Sequence, residues 1–240
     1  MKIFENTGIQ VGRRNVIILL GGPGAGKGTQ AENICAWLKI PHISSGQLLR
    51  SEVTVGTPLG LRAKAIIDAG DLVGDDLVNE LILQRIRRPD CSTGFVLDGY
   101  PRNAGQAVTL ESSLPLWDRQ IVIEILTDLE RMVPRLTNRR TCNACGAIYH
   151  LISSPPKMPD VCDHCKGALI QRSDDREDVI RERFKAYQEM TAKVSRLYQR
   201  MYVYHGVDGM RPPDQVANDI RQVIEEQIYG LSATARVAAD

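Results

Sequence analysis

A glycine-rich loop that follows a short apolar run constrains the fold of this chain more than any other feature. Residues 16–20 (VIILL) are continuously apolar, which is typical of a strand buried on both faces of a parallel sheet. Residues 21–27 (GGPGAGK) fit the pattern G-x-x-x-x-G-K, and a helical pattern follows them up to Pro41. A strand before this pattern and a helix after it form the context that supports a phosphate-binding loop.

The glycines and the lysine of this loop suit phosphate chemistry. Glycine lets successive backbone N–H groups turn inward without a Cβ in the way, and the helix N-terminus adds positive potential. Lys27 is then expected to place its charge on the β- and γ-phosphates of a nucleotide. The alternative is a glycine-rich turn that carries a surface lysine.

The residue after the lysine departs from the usual pattern. Ser or Thr normally stands there and ligates Mg²⁺, but this chain has Gly28, and its first hydroxyl comes at Thr29. Asp98 is therefore the better candidate for Mg²⁺, because it follows the apolar residues 95–97 at the carboxyl end of a predicted strand. The alternative is that Asp98 is a turn residue before Gly99.

The rest of the chain indicates an α/β protein. Residues 95–99 (FVLDG) and 121–126 (IVIEIL) are predicted to be two more buried strands, and their alternation with helical segments predicts a parallel sheet flanked by helices. The formal net charge is +1, from 30 basic and 29 acidic residues, which argues against a general nucleic-acid binder. No apolar stretch approaches ~20 residues, and the first residues lack the apolar core of an export signal. We therefore expect a cytoplasmic protein with reduced cysteines and no membrane partner.

Residues 138–175 contain four of the six cysteines and little apolar periodicity. The four form two C-x-x-C pairs with sixteen residues between them: Cys142, Cys145, Cys162 and Cys165. Such spacing predicts a closed, structural zinc site, which would stabilise a segment that cannot bury enough apolar surface alone. Disulfides, an iron–sulfur cluster and ligation by His164 are the alternatives.

A long amphipathic helix is predicted after the cysteine-containing segment. Its apolar residues recur at helical spacing between Val179 and Met201. Asp174 and Glu177 are predicted to form a capping box at its start.

Several arginines stand where phosphoryl transfer would need them. One follows the strand at 95–97, two lie where the cysteine-containing segment begins, one lies at its end and one is on the long helix: Arg102, Arg135, Arg139, Arg172 and Arg183. Guanidinium groups can match the charge that develops on a transferring phosphoryl group. A solvated surface position is the alternative for any single one of them.

Taken together, these residues resemble one family, the adenylate kinases, in their long bacterial form with a zinc-binding lid. The resemblance runs from about residue 15 to residue 228. It is carried by GGPGAGKGTQA (21–31), ISSGQLLR (43–50), DAGDLV (68–73), GFVLDGYPRNAGQA (94–107), RLTNRRTC (135–142), YHLISSPPK (149–157), QRSDDREDVIRER (171–183) and VDGMRPPDQV (207–216).

The resemblance implies the P-loop nucleoside monophosphate kinase fold, a parallel sheet flanked by helices with two inserted segments. The core would comprise residues 1–43, of which 1–14 are an extension, 74–137 and 176–240 with the carboxyl-terminal tail. The insertions would be a nucleoside-monophosphate-binding segment at 44–73 and a zinc-containing lid at 138–175.

The resemblance also implies a reaction, namely reversible, Mg²⁺-dependent phosphoryl transfer from ATP to AMP that gives two ADP, carried out by a monomer. The implied catalytic residues are Lys27, Arg102, Arg139, Arg172 and Arg183. The implied ATP-binding residues are Gly22, Pro23, Gly24, Ala25, Gly26, Lys27, Gly28, Thr29, Arg135 and Arg139. The implied AMP-binding residues are Ser45, Arg50, Asp71, Leu72, Val73, Gly99, Tyr100, Pro101, Arg102, Gln106, Arg172 and Arg183. Asp98 would hold Mg²⁺ through water, and the four cysteines would hold Zn²⁺.

Two positions depart from the family pattern. Ser45 stands where the family usually has Thr, so a hydroxyl survives, and Gln47 replaces the usual Asp, which removes a charge. Three other functions stay open on the sequence: a kinase of UMP or CMP, a nucleotide sensor without catalysis, and a nucleic-acid-binding zinc ribbon.

Overall fold

The computed structural model describes residues 13–68, 73–201 and 203–230. Asp71 and Leu72, most of the expected extension and the end of the tail lie outside the described residues. The strands are β1 (Asn15–Gly21), β2 (His42–Ser44), β3 (Gly94–Asp98), β4 (Arg119–Leu126), β5 (Arg139–Cys142), β6 (Ile148–His150), β7 (Leu169–Ile170) and β8 (Tyr204–Asp208). The helices are α1 (Lys27–Leu38), α2 (Ser45–Val55), α3 (Pro58–Asp68), α4 (Asp75–Ile86), α5 (Ala104–Ser113), α6 (Leu129–Thr137), α7 (Glu177–Arg200) and α8 (Pro213–Tyr229).

Five strands form a parallel sheet in the order β2-β3-β1-β4-β8. The prediction of a parallel α/β sheet with strands at 16–20, 95–99 and 121–126 is confirmed. In the register, Leu19 of β1 lies opposite Asp98 of β3, and Gly21 lies opposite Ile125 of β4. The phosphate loop and Asp98 therefore leave neighbouring strands at one edge of the sheet, where ligands bind in open α/β folds.

The apolar run of β1 is continuous because both of its faces are buried. Val16, Ile18 and Leu20 pack into a cluster with side chains of α4, α5 and α7. Ile17 and Leu19 point to the opposite face and pack with side chains of α1 and α8. The central strand is thus covered by helices on both sides, which fixes the position of the loop that follows it.

A second, antiparallel sheet is formed in the cysteine-containing part of the chain. Its three strands have the order β6-β5-β7, and they lie in sequence between α6 and α7. Its small apolar cluster contains two of the cysteines with Tyr149 and Leu169. This sheet connects the arginine at the start of β5 to the arginine that follows β7.

The predicted capping box at the start of α7 is wrong. A short 3₁₀ turn, Ser173–Asp175, precedes the helix, and the N-cap residue is Arg176, with no side-chain cap. The Asp174 carboxylate contacts Arg183 at 2.9 Å instead. This acid therefore pairs with a guanidinium of α7 and does not act as the helix cap.

None of the described helices combines the length and the apolar content needed to cross a lipid bilayer.

Candidate active site

The loop between β1 and α1 places a helix N-terminus at the edge of the sheet. Gly24 (φ 82°) and Gly26 (φ 91°) have left-handed backbone conformations that other residues rarely adopt. Gly26 is the N-cap of α1, so the first N–H groups of the helix are free of partners within the helix. Residues 22–29 thus occupy a junction that can bind an anion, as the sequence predicts.

Lys27 lies at the first position of α1 and folds back over the loop. Its Nζ donates hydrogen bonds to the carbonyl oxygens of Gly21 and Gly22, both at 2.8 Å. Burial lowers the pKa of Lys27 to about 8; Asp98 opposes this shift, whereas the nearby arginine cations add to it. A bound polyphosphate would raise the pKa of this lysine again, because an anion favours the protonated form.

Asp98 ends β3 beside this lysine. Its Oδ2 lies 3.4 Å from His42 Nε2, and a Cβ built on Gly28 would lie 3.8 Å from the same oxygen. Burial raises the pKa of Asp98, but His42 and Lys27 lower it by more, so the net shift is downward. An ionised carboxylate at this edge of the sheet fits a hard cation such as Mg²⁺, whose ligands are oxygen atoms.

Five arginines converge on the same cleft. The pKa values of three of them are lowered, first because protein atoms displace water around the guanidinium groups and then because the other arginines repel a further positive charge. The members of the arginine cluster are Arg50, Arg102, Arg139, Arg172 and Arg183. Such a concentration of positive charge is a site for polyanions.

Two acids from the turn before α7 orient part of the arginine cluster. Asp175 binds Arg139 through both carboxylate oxygens, with Nε–Oδ2 at 2.8 Å and Nη2–Oδ1 at 2.5 Å. Arg183 donates to the backbone carbonyl of Asp174 at 2.8 Å and to its carboxylate at 2.9 Å. Arg172 is held separately, by a 3.0 Å bond from its Nε to Thr141 Oγ1. These contacts aim three guanidinium groups from different elements at one space.

A second group of predicted residues surrounds the end of β3. Ser45 Oγ donates to the Gly99 carbonyl at 2.8 Å, and Arg102 Nε donates to the same oxygen at 2.8 Å. Gln106 is buried at the start of α5, and its Oε1 accepts from the backbone N–H of Arg102 at 2.7 Å. Tyr100 and Pro101 are joined by a cis peptide bond between these residues.

The remaining sequence-predicted residues are placed less centrally. Arg135 on α6 donates to the Gly209 carbonyl at 3.1 Å, beyond β8, and is not among the charges that shift the arginine cluster. Val73 is half-buried against the cluster between α3 and α4. Gln47 is exposed on the first turn of α2.

Two polar groups around the site were missed by the sequence reasoning. Asp75 and Asn103 bind the side chain and backbone of Gln106; an Asn before a helix signals an N-cap, but nothing in the sequence joins it to Asp75. Glu124 is buried within β4 and accepts hydrogen bonds from Tyr187 at 2.5 Å and Tyr204 at 2.7 Å. Nothing in the sequence indicated this role, because Glu124 stands within an otherwise apolar run.

The four predicted cysteine ligands come together. Their Sγ atoms all lie within 4.8 Å of one another, with the nearest pairs at 3.4 and 3.6 Å. Thiolates bound to zinc at 2.3 Å in a tetrahedron are about 3.8 Å apart, so the cluster has the size that zinc requires. Each pair ends in a matching turn, in which the residue after the second cysteine, Gly146 or Lys166, has positive φ. His164 is not part of this cluster.

Comparison with known proteins gives one consistent result. The family model described as adenylate kinase matches residues 19–203. Adenylate kinase of Archaeoglobus fulgidus is 42% identical over 212 residues, which cover 88% of this chain and 98% of that protein. Adenylate kinase of Methanocella arvoryzae is 43% identical, covering 87% and 98% of the two chains, and that of a Geobacillus species is 42% identical, covering 87% and 97%. The family model covers well over half of the chain, and the match with each of these relatives covers nearly the whole length of that relative. The chain belongs to the adenylate kinase family.

Proposed function

We propose that this chain transfers the γ-phosphoryl group of ATP to AMP, reversibly, to give two ADP. The observation that carries the proposal is the convergence of Lys27 and the arginine cluster over the carboxyl ends of β1 and β3. Two substrates that together carry four phosphate groups need such a concentration of cations, and phosphoryl transfer needs positioning and charge stabilisation more than covalent chemistry. Family membership supports the same reaction.

In this proposal, ATP binds to the loop after β1. Residues 22–29 surround its phosphates and, apart from Pro23, which has no N–H, supply backbone N–H groups to them; Lys27 turns from the loop carbonyls to the β- and γ-phosphates. Thr29 is exposed in the first turn of α1, where its hydroxyl can meet a phosphate oxygen. Arg135 and Arg139 complete the ATP side, and we assign Arg135 to the base.

AMP binds on the other side of Asp98. Ser45, Gly99 and Gln106 form a polar wall for the nucleoside, and Arg50 and Arg102 supply charge for its phosphate. The further residues that we assign to this site are Asp71, Leu72, Val73, Tyr100, Pro101, Arg172 and Arg183. The open alternative, a kinase of UMP or CMP, is not favoured by the comparisons.

The transferring group then lies between the two substrates. Arg139, Arg172 and Arg183 meet it from three elements, and their charges match the negative charge spread over its oxygens in the transition state. Water must be kept from the γ-phosphate, because otherwise ATP is hydrolysed. We assign this exclusion to closure of the segments at 44–73 and 138–175 over the core formed by residues 1–43, 74–137 and 176–240.

Asp98 would hold Mg²⁺ through water. When bound, Mg²⁺ would neutralise charge on the phosphate oxygens and so make the phosphorus atom a better electrophile. The Asp98 pKa is lowered, so the carboxylate is ionised and ready to hold the cation.

We assign the four cysteines a structural Zn²⁺ ion. Four protein thiolates leave no open coordination position for catalysis, and the small sheet around them has only a small apolar cluster of its own. The nearest Sγ atoms, 3.4 and 3.6 Å apart, are too far apart for disulfide bonds and close to the spacing of thiolates around one zinc ion. In this proposal the protein acts as a monomer.

A coupled assay that supplies ATP with AMP, CMP, UMP or GMP tests this proposal. We expect ADP formation with AMP to exceed that with the other three nucleotides. A protein that binds ATP but forms no ADP would be a sensor and would contradict the proposal. Binding of oligonucleotides that weakens steeply with salt would favour the zinc ribbon instead.

A further inference from the structure

We infer that Asp75 is a positioning residue that fixes the orientation of the Gln106 side-chain amide and so makes the monophosphate site select a 6-aminopurine over a 6-oxopurine. The inference rests on the proposed function, in which Gln106 faces the base of the monophosphate. Asp75 itself lies at the first position of α4 and is exposed.

The two ends of the Gln106 amide meet partners of opposite kind. Its Oε1 accepts from the backbone N–H of Arg102 at 2.7 Å, and its Nε2 donates to Asp75 Oδ1 at 2.7 Å. A backbone N–H can only donate, and an ionised carboxylate can only accept. If the amide flipped, a donor would face the donor and an acceptor would face the acceptor. The chemistry of the two neighbours therefore fixes which end is oxygen and which is nitrogen.

A third side chain closes this arrangement. Asn103 Nδ2 donates to Asp75 Oδ2 at 2.8 Å, and Asn103 Oδ1 accepts from the backbone N–H of Gln106 at 2.9 Å. Asp75 thus uses both carboxylate oxygens, one for the side-chain amide of Gln106 and one for that of Asn103. It links the starts of α4 and α5 at the point where Gln106, only 4% exposed, enters the site.

Once the Gln106 amide is fixed, only part of its hydrogen-bonding capacity remains for a base. A primary amide offers two N–H donors and two lone pairs on its oxygen; Asp75 and Arg102 take one of each. One donor and one acceptor remain, in a set order. Adenine presents an acceptor at N1 and a donor at its 6-amino group, which match this pair. Hypoxanthine and guanine present a donor at N1–H and an acceptor at the 6-oxo group, which match only the flipped amide.

This arrangement would discriminate between the two kinds of base, because a base with the reversed pattern leaves buried polar groups without hydrogen-bond partners. A site built to hydrogen-bond one pattern rejects the reversed pattern, because its buried groups then lose partners. Without Asp75, only the Arg102 N–H opposes the flip. The preference for AMP over its 6-oxo analogue IMP should then shrink.

Asp76 provides a matched control. It is the next residue in the first turn of α4, it is exposed, and it has the same charge at the same helix N-terminus. The described contacts of Gln106 do not include it. Asp75→Ala and Asp76→Ala therefore cause similar losses of favourable helix-end charge, but only the first frees the amide.

The experiment measures steady-state kinetics at saturating ATP with AMP or IMP varied. For Asp75→Ala we expect KM for AMP to rise about tenfold, kcat to stay within about twofold, and the AMP:IMP ratio of kcat/KM to fall about tenfold, as the loss of about one hydrogen bond predicts. Asp76→Ala should keep the wild-type values. Asp75→Asn retains an oxygen for Gln106 and should recover most of the AMP KM.

One result would overturn the inference: an AMP:IMP ratio of kcat/KM in Asp75→Ala equal to that of Asp76→Ala, as an equal loss of activity toward both nucleotides would give. Thermal melts verify that both variants fold, and Asp75→Ser replaces Asp75→Ala if that variant does not. The wild-type assay with AMP tests the proposed function separately. If the wild type forms no ADP, equilibrium binding of AMP and IMP to wild type and Asp75→Ala still decides whether the amide is held.

Discussion

Asp175 holds the Arg139 guanidinium with both carboxylate oxygens, at 2.8 and 2.5 Å, while having no solvent exposure of its own. The two residues lie at opposite ends of the cysteine-containing segment. The pair thus joins the start of the small sheet to the turn before α7, and it fixes the direction in which Arg139 points. Removing one partner would leave the other without its counter-charge in a site of low solvent access.

Asp175→Asn is expected to lower both stability and turnover. Breaking a buried ion pair costs about 3–5 kcal/mol, and a misdirected Arg139 would stabilise the transferring phosphoryl group less well. Chemical denaturation and kcat measure the two effects. The control is Asp178→Asn, since Asp178 pairs with Arg176 while both side chains are about two-thirds exposed; such a solvent-screened pair contributes little to stability. Equal stability losses in the two variants would contradict the role of Asp175.

Lys27→Met is expected to abolish most activity without unfolding the protein. The loss of a cation aimed at the transferring phosphoryl group should reduce kcat by about 10²–10³-fold, the range seen when one charge-stabilising donor is removed. Stability should stay level or rise, because burial disfavours the charged amine in the folded state. The measurements are kcat and the thermal melting temperature. Activity near that of the wild type would refute the assignment of the loop.

The affinity for ATP is expected to depend on the protonation of Lys27. The pKa of this lysine is about 8 in the free protein, and phosphate anions favour its charged form, so ATP binding should take up a proton above pH 8. Affinity should therefore fall by up to about tenfold per pH unit above pH 8. Titration calorimetry in buffers of different ionisation enthalpy measures the proton uptake. Lys27→Arg stays charged and should show no such dependence; the same slope in that variant would exclude Lys27 as its source.

The same pKa has a consequence for stability. The unfolded lysine keeps its proton up to its ordinary pKa of 10.5, whereas the folded one loses it near 8. Between these values the unfolded state binds more protons, so the contribution of Lys27 to the free energy of unfolding rises with pH. Denaturation of wild type and Lys27→Met from pH 7.5 to 10 should show this rise as a difference between the two curves. A constant difference across that range would contradict the lowered pKa.

The sequence predicts the parts of the site that are local in the chain. The loop at 21–27, the strand before it and the two C-x-x-C pairs each lie within a few residues, so spacing and periodicity define them. Contacts between distant residues could not be predicted in this way. Asp75 and Gln106 are 31 residues apart, and Arg139 and Asp175 are 36 apart. Only the packing of α4 against α5, and the return of the small sheet to α7, brings these partners together.

The failed capping box has the same cause. Asp174 and Glu177 have the right spacing for a local cap, but Asp174 is drawn to Arg183 from the next turns of α7. A tertiary charge pair thus overrides a local preference, and the helix begins after Arg176 without a side-chain cap. Such departures are expected where a chain uses its polar residues for function.

Zinc is expected to be bound in the purified protein at about one ion per chain, and to contribute to stability without contributing to the chemical step. Four thiolates whose mutual distances match a tetrahedral site supply the binding energy, and this energy is folding energy for the small sheet. Cys162→Ser should therefore lower the melting temperature and reduce the zinc content. Cys35→Ser, at a half-buried cysteine outside the four-cysteine cluster, is the control and should retain the metal. Elemental analysis that finds no zinc in protein prepared without chelators would disprove the assignment, and equal metal loss in both variants would place the ion elsewhere.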